Sequence, residues 1–415
     1  MSSIPSETIS KPKYILITNG ESYVGHSLAI FIADQLVRKE GQLKKNWRVR
    51  VLCEDKKKLQ DLEKKGIEVK EVDYEGQAVL RDQMKGQIKT MICNPFSQND
   101  DRLIHRGKNL IDAAIHNKIK RIMMISMMGC SFSEDKETPA GQFNLLEEHL
   151  RNCFKYGDWV VFRIPMIQQF MYFWSSMIEN KSVIGMPIAE SNMLTTVNIK
   201  DVCECICQAA LSKKCIVWGQ TKNDDVISDG SSSNSEYVTT HTTLKRVYGL
   251  TSDNVMTLTM IAQALSDALK EAGFSSDVEP ATITREQLES YLKFVSEEPA
   301  EDKVESFLTI IFPDIIAKKR NISTGGLLSN FRSLFIGSEV AKPCEMDDPN
   351  WYPSPPRFLT PFCIQVILDH LNISRQPEIP MLPSSDVRDI TGRKPIDLSS
   401  FFMKNRRQFR PEFVN

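Results

Sequence analysis

The chain has no uninterrupted apolar run approaching the ~20 residues that a membrane-spanning helix needs. Its first residues, MSSIPSETISKPK, lack the apolar core of a secretory signal, so the expected address is the cytoplasm or the nucleus. An excess of either charge is also missing. Lys and Arg total 52 against 53 Asp and Glu, a formal net charge of -1, so no whole-protein field draws it to nucleic acid, and no direct nucleic-acid or membrane partner is expected. Ten cysteines are present without the paired spacing of a zinc ribbon. Cys53, Cys93, Cys130 and Cys153, for example, read as reduced core thiols. Cys203, Cys205 and Cys207 cluster on an expected helix, but only Cys203 and Cys207 share a face and no histidine is near, so no metal is expected. With 41% hydrophobic and 25% charged residues over 415 positions, what remains is a globular chain of one large or two moderate domains.

The organising stretch is KYILITNGESYVGHSLAIF, from Lys13 to Phe31. Tyr14 to Thr18 is rich in β-formers, and Asn19-Gly20 is the local signal for positive backbone dihedrals, so a strand ends there. From Tyr23 onward Val24, Leu28, Phe31, Ile32 and Leu36 recur at helical spacing. Gly25 falls in the first helical turn, where a missing side chain lets backbone lie against a strand or a phosphate. Asn19 and Ser22 stand where two further glycines are usual in a dinucleotide-binding turn. A plain strand-helix turn without nucleotide is the alternative.

Further strands are expected at Trp47 to Cys53, Ile67 to Val72, Ile88 to Cys93, Arg121 to Ser126 and Trp159 to Arg163. Helices are expected at Lys56 to Lys65, Asp101 to Asn117 and Phe143 to Phe154. Alternation at this spacing implies an α/β fold, a doubly wound parallel sheet covered on both faces. The alternation then breaks. The aromatics Phe170, Tyr172, Phe173 and Trp174 suit either a core or a cleft lining. Helices follow at Asn198 to Leu211, Thr257 to Ala272, Arg285 to Val295 and Val304 to Lys319, with a strand at Arg246 to Leu250. DDVISDGSSSNSE makes residues 219–241 an acidic, Ser-rich segment expected to be a disordered surface loop. The organisation read is a polar tail (1–12), a sheet domain (13–215, completed by 246–250) and a smaller, mixed, mostly helical C-terminal lobe (251–415) holding a Pro-rich insert at about 322–375.

With those elements placed, several stretches resemble the NmrA-like family, atypical members of the short-chain dehydrogenase superfamily. They are ITNGESYVGHSLA, WRVRVLCED followed by GIEVKEVDY, KRIMMISMMG, VNIKDVCECICQAAL, RVYGLTSDNVMTLTMIAQALSDAL and DITGRKPIDLSSFFMKNRRQF. The resemblance implies a Rossmann-type domain binding NAD or NADP at the strand ends, with a C-terminal lobe closing a cleft. It implies cofactor contacts at Thr18, Asn19, Gly20, Ser22, Tyr23, Val24 and Gly25, at Glu54, at Asp73 and Tyr74 near the adenine, at Asn94 and Pro95 below the ribose, and at Ser126 and Met127 beside the nicotinamide. Relatives that take NADP carry arginine where this chain has Glu54; a carboxylate there accepts from a ribose diol and repels a phosphate, which favours NAD over NADP.

The family includes both regulators that sense nucleotide and true reductases. None of the nine tyrosines has lysine four residues on, so the usual proton donor is missing. Atypical reductases use a lysine at the start of the helix after the fifth strand; here that station reads Gln142, Phe143, Asn144, and Lys136 in the preceding loop is the nearest candidate. The expected function is a dinucleotide-sensing regulatory protein, with a protein partner engaged through the C-terminal lobe or the inserts. A reductase of an apolar carbonyl, quinone or enone using Lys136, and a nucleotide-free scaffold, are the alternatives.

Overall fold

A computed structural model describes residues 11–38, 46–95, 102–155, 157–212, 215–218, 245–274, 277–297, 301–312, 355–376 and 382–409. The loop at 219–241 and residues 322–354 of the Pro-rich insert lie outside the described residues. From Lys13 to Ile164 strands and helices alternate: β1 (Lys13–Ile17), α1 (Tyr23–Arg38), β2 (Trp47–Cys53), α2 (Gln60–Lys64), β3 (Glu68–Glu71), α3 (Gln77–Gln83), β4 (Gln87–Cys93), α4 (Leu103–His116), β5 (Arg121–Met127), α5 (Pro139–Cys153) and β6 (Asp158–Ile164). After these come β7 (Met166–Ile167), α6 (Ser175–Lys181), β8 (Val183–Met186), β9 (Met193–Val197), α7 (Ile199–Leu211) and β10 (Val247–Gly249). The remainder is β11 (Val255–Thr257), α8 (Leu258–Glu271), β12 (Glu279–Thr282), α9 (Arg285–Ser296), α10 (Glu301–Ile311), α11 (Pro361–Ser374), α12 (Asp386–Thr391) and α13 (Leu398–Asn405).

Seven strands pair in the order β10-β6-β5-β4-β1-β2-β3, every pairing parallel. The order reverses between β1 and β4, and in open α/β sheets the ligand crevice lies outside the carboxyl ends of the two strands at such a reversal. Strand alternation sends Ile15 and Ile17 into the core under α1 and α7, and Leu16 into the core under α4 and α5. Two smaller sheets, β11-β9-β7 and β12-β8, build the second lobe.

Between β1 and β6 three elements differ from expectation for identifiable reasons, and beyond them α6, β7, β8, β9, β11 and β12 were not expected from the sequence. α5 starts at Pro139 instead of Phe143, because Thr138 accepts the Gly141 N–H at 3.2 Å and proline suits the first helical position. That brings Gln142 inside the helix. The expected helix at Lys56 to Lys65 opens as a 3-10 turn, with Asp55 accepting the Lys57 N–H at 2.9 Å. α3 was not foreseen; only Leu80 is buried in it, so it carries no apolar period. The aromatic stretch proves to be core: Phe170, Phe173 and Trp174 are buried, and the Trp174 indole donates to Gly185 O at 2.7 Å.

α11 is apolar nearly all round, as a helix enclosed on both sides must be. Phe362, Val366 and Ile373 join the core under α4 and α5, while Ile364, Ile367, Leu368 and Leu371 join the other core. It therefore packs into the sheet domain and the second lobe at once.

Candidate functional site

At the crevice the chain passes from β1 into α1 through a turn closed by its own side chains. Asn19 adopts φ 49°, the left-handed conformation that asparagine tolerates better than most residues. Its N–H donates to the Tyr74 hydroxyl at 2.9 Å and its side-chain amide to Asn94 O at 2.6 Å. Thr18 and Asn94 exchange two bonds, Oγ1 to O at 3.1 Å and N to Oγ1 at 2.9 Å, locking the β1 and β4 ends together. The Gly20 N–H donates to Leu52 O at 3.0 Å. Ser22 Oγ donates to Asn19 O at 2.9 Å while accepting from the Gly25 N–H at 3.1 Å and the Asn94 amide at 2.7 Å. A side chain at Gly25 is impossible without movement, since its Cβ would lie 2.3 Å from Asn19 O and 2.9 Å from Asn94 Nδ2.

Toward β2 and β3 the crevice is rich in acid. Glu54 sits at the end of β2 as expected, yet its carboxylate meets Arg106 of α4 at 3.0 Å, and Arg106 also reaches Glu75 at 3.1 Å. Glu75 takes His105 at 2.9 Å as well. Glu21, which sequence reasoning passed over, accepts the backbone N–H groups of both Glu54 and Asp55 and is buried. Burial raises its pKa above the ordinary carboxylate value, against the lowering effect of those two bonds. Tyr74 is fully buried, and Asn109 donates to its carbonyl at 3.0 Å. Asp73 is exposed and accepts the Glu75 N–H at 2.9 Å, forming an Asx turn.

The opposite end, around β4, β5 and α5, is closed. Asn94 and Pro95 are buried, as are Ser126 and Met127. The Ser126 hydroxyl donates to Glu147 Oε1 at 2.6 Å, and Glu147, 1% exposed, is held by Arg163 through Nε at 2.9 Å and Nη2 at 2.8 Å. Met127 lies in the core with Phe143 and Leu146. At the catalytic-lysine station Gln142 uses both ends of its amide, accepting from Ile104 N at 3.2 Å and donating to Glu137 O at 2.9 Å. The amide of Ala140, in the first turn of α5, donates to Asp369 Oδ2 of α11 at 3.2 Å. Lys136 is exposed.

The segment leading into α11 lies across the start of α1. Phe358 stands 5.6 Å from the Tyr23 ring and 5.7 Å from the His26 ring, and Tyr23 is 5.9 Å from Phe170. Burying Phe358 contributes on the order of 2 kcal/mol to holding this segment down.

Most cysteines are core thiols, and burial holds Cys93 and Cys130 at about 12. Cys203, Cys205 and Cys207 are all buried. Cys153 corrects the expectation, since it is exposed on the last turn of α5. Among the described residues one trio has metal-capable groups close together, Asp112, His149 and Cys153. There the imidazole uses both nitrogens on its neighbours, 2.9 Å to Asp112 and 3.6 Å to Cys153. No helix of the described residues is long and apolar enough to cross a membrane.

A profile of the NmrA-like family matches residues 11–220. No curated protein sequence matches significantly. Among solved structures, the chain is similar to the Citrobacter sp. triphenylmethane reductase complexed with NADP(H), at 14% identity and a TM-score of 0.56, covering 94% of this chain and 99% of that one. It is similar to the NADPH-dependent quinone oxidoreductase QOR2 of Escherichia coli complexed with NADPH, at 14% identity and a TM-score of 0.55, covering 94% and 98%. The negative transcriptional regulator NmrA in complex with NADP gives 13% identity, a TM-score of 0.53 and 95% of each chain. At such identities the likeness is one of fold.

Proposed function

Since the chain belongs to the NmrA-like family, we propose that it is a nicotinamide-dinucleotide-binding regulatory protein, in which the bound nucleotide favours one relation between sheet domain and C-terminal lobe and a protein partner reads the result, in the cytoplasm or nucleus. The observation that carries this reading is the state of the substrate end. The side chains at the β5 end and the start of α5 are engaged with their neighbours, Ser126 with Glu147, Gln142 with α4 and the loop before α5, and Asp369 with the first turn of α5, while Lys136 is exposed in the loop before that helix. Removing a positioned general acid commonly costs about 10² to 10⁴ in rate.

The other end supports a dinucleotide. Asn19 supplies the positive φ and Gly25 the close approach, so the turn keeps its backbone shape, and the α1 N-terminus keeps its partial positive charge. A pyrophosphate would lie against Ser22, Tyr23 and Val24. The acids at the end of β2 favour NAD over NADP within that class, in contrast to the three similar structures, which hold NADP(H), NADPH or NADP. A ligand with higher affinity for one lobe arrangement shifts the population toward it.

A nucleotide-free scaffold is the second reading, favoured by Ser22 Oγ already accepting the Gly25 N–H that a phosphate oxygen would otherwise take. A reductase acting through Lys136 is the third. Calorimetric titration with NAD and NADP, followed by nucleotide oxidation against a panel of quinones and aldehydes, separates them. The expected result is binding with negligible turnover, the same in the parent and in Lys136→Ala. Absence of binding by both nucleotides at millimolar concentration would leave the scaffold. Robust turnover lost in Lys136→Ala would make the chain a reductase.

A further inference from the structure

Glu21 follows Gly20 in the β1-α1 turn and is 6% exposed. Its Oε1 accepts the Asp55 N–H at 2.6 Å and the Glu54 N–H at 3.0 Å, and Oε2 also lies 3.0 Å from Glu54 N. Two successive amides converging on one carboxylate form an anion seat, and it sits at the end of the second strand, where a Rossmann fold receives the adenosine ribose. Here the anion is part of the chain. The neighbouring acids are not free to take over: Glu54 is drawn to Arg106, and Asp55 accepts from the Lys57 N–H at 2.9 Å.

We infer that Glu21, and not Glu54, is the residue that sets which dinucleotide the chain takes: its carboxylate fills the anion seat, so the site accepts an adenosine with a free 2′,3′-diol and excludes one bearing a 2′-phosphate. This rests on the dinucleotide reading above. A carboxylate with two lone pairs engaged by amides retains others for ribose hydroxyls. A 2′-phosphate brought to the same amides meets a like charge in a buried setting and finds both donors taken. Without the Glu21 carboxylate, the two amides become available to the phosphate.

The test is calorimetric titration of the full chain with NAD and with NADP, in the parent, Glu21→Thr, Glu21→Gln and Glu54→Gln. The parent is expected to bind NAD at least about tenfold more tightly than NADP. Glu21→Thr should tighten NADP by about tenfold or more, with a smaller gain in Glu21→Gln, which keeps the shape and one acceptor but loses the charge. If Glu21→Thr fails to fold, the near-isosteric Glu21→Gln carries the comparison. A parent that binds NADP as tightly as NAD, or Glu21 variants whose NAD-to-NADP ratio does not move, overturns the inference while leaving dinucleotide binding intact. A ratio that moves only with Glu54→Gln returns the role to Glu54. Folded parent and variants that all ignore both nucleotides overturn the dinucleotide reading itself, and this inference with it.

Discussion

The two ends of the crevice have been treated differently. At the β1-β2 end the tight turn between β1 and α1 closes without two of the glycines usual in a dinucleotide-binding turn, because Asn19 can adopt the left-handed conformation and Ser22 hydrogen-bonds inside the turn. At the β5-α5 end the polar side chains are bound into structure, through Ser126-Glu147-Arg163 on one side and Ala140-Asp369 on the other. Binding needs backbone N–H groups and a helix terminus, which many side chains permit. Proton transfer needs one particular side chain with a free atom in the right place. The first requirement survives substitution far better than the second.

The largest expected effect comes from Glu147→Ala, which would leave Arg163, 19% exposed at its side chain, without its carboxylate. Breaking such a pair costs about 3 to 5 kcal/mol, to be read as a lower urea midpoint. Dinucleotide affinity of the folded fraction should change little; an equal loss of binding would erase the separation between the two ends. Gly25→Ala is the converse probe. With Cβ 2.3 Å from the Asn19 carbonyl oxygen the turn must shift, at a cost of about 1 to 3 kcal/mol, and nucleotide binding should disappear at the calorimeter while α11 stays docked.

The smallest effect, at mildly acid pH, is a slope from α11. Burial lowers the pKa of His370, from 6.5 to about 3. Between those values the unfolded chain binds a proton that the folded chain refuses, so stability is complete above about pH 6.5 and falls as the pH drops toward 3. At about pH 5.5 the loss is about 1.4 kcal/mol. His370→Leu should flatten that slope in urea titrations at successive pH values. An unchanged slope would place the acid sensitivity elsewhere than at the closed end.

The parallel sheet, the turn at Asn19-Gly20 and the core character of most cysteines were legible because periodicity and local conformational preference carry them. The start of α5 was legible in principle from Thr138-Pro139, a capping signal that apolar periodicity overlooks. Glu21 was not. In the sequence it is one more polar residue in a turn, and the amides it serves lie 33 and 34 positions away. Glu54 was located at the right strand end, but nothing local pairs it with Arg106, which comes from α4.

What the sequence determined by itself is therefore the scaffold: alternating strands and helices, the tight turn after β1, and the absence of the usual tyrosine and lysine donors. These follow from local preferences and from residue types that are either present or missing. Tertiary structure alone decided which carboxylate meets the backbone donors at the end of β2, and that α11 would lie over the first turn of α5. The physical reason is that a hydrogen bond or ion pair between distant segments depends on where the strand ends and helix termini are brought together, and backbone N–H groups, identical at nearly every position, leave no mark in the sequence of the side chain that will find them.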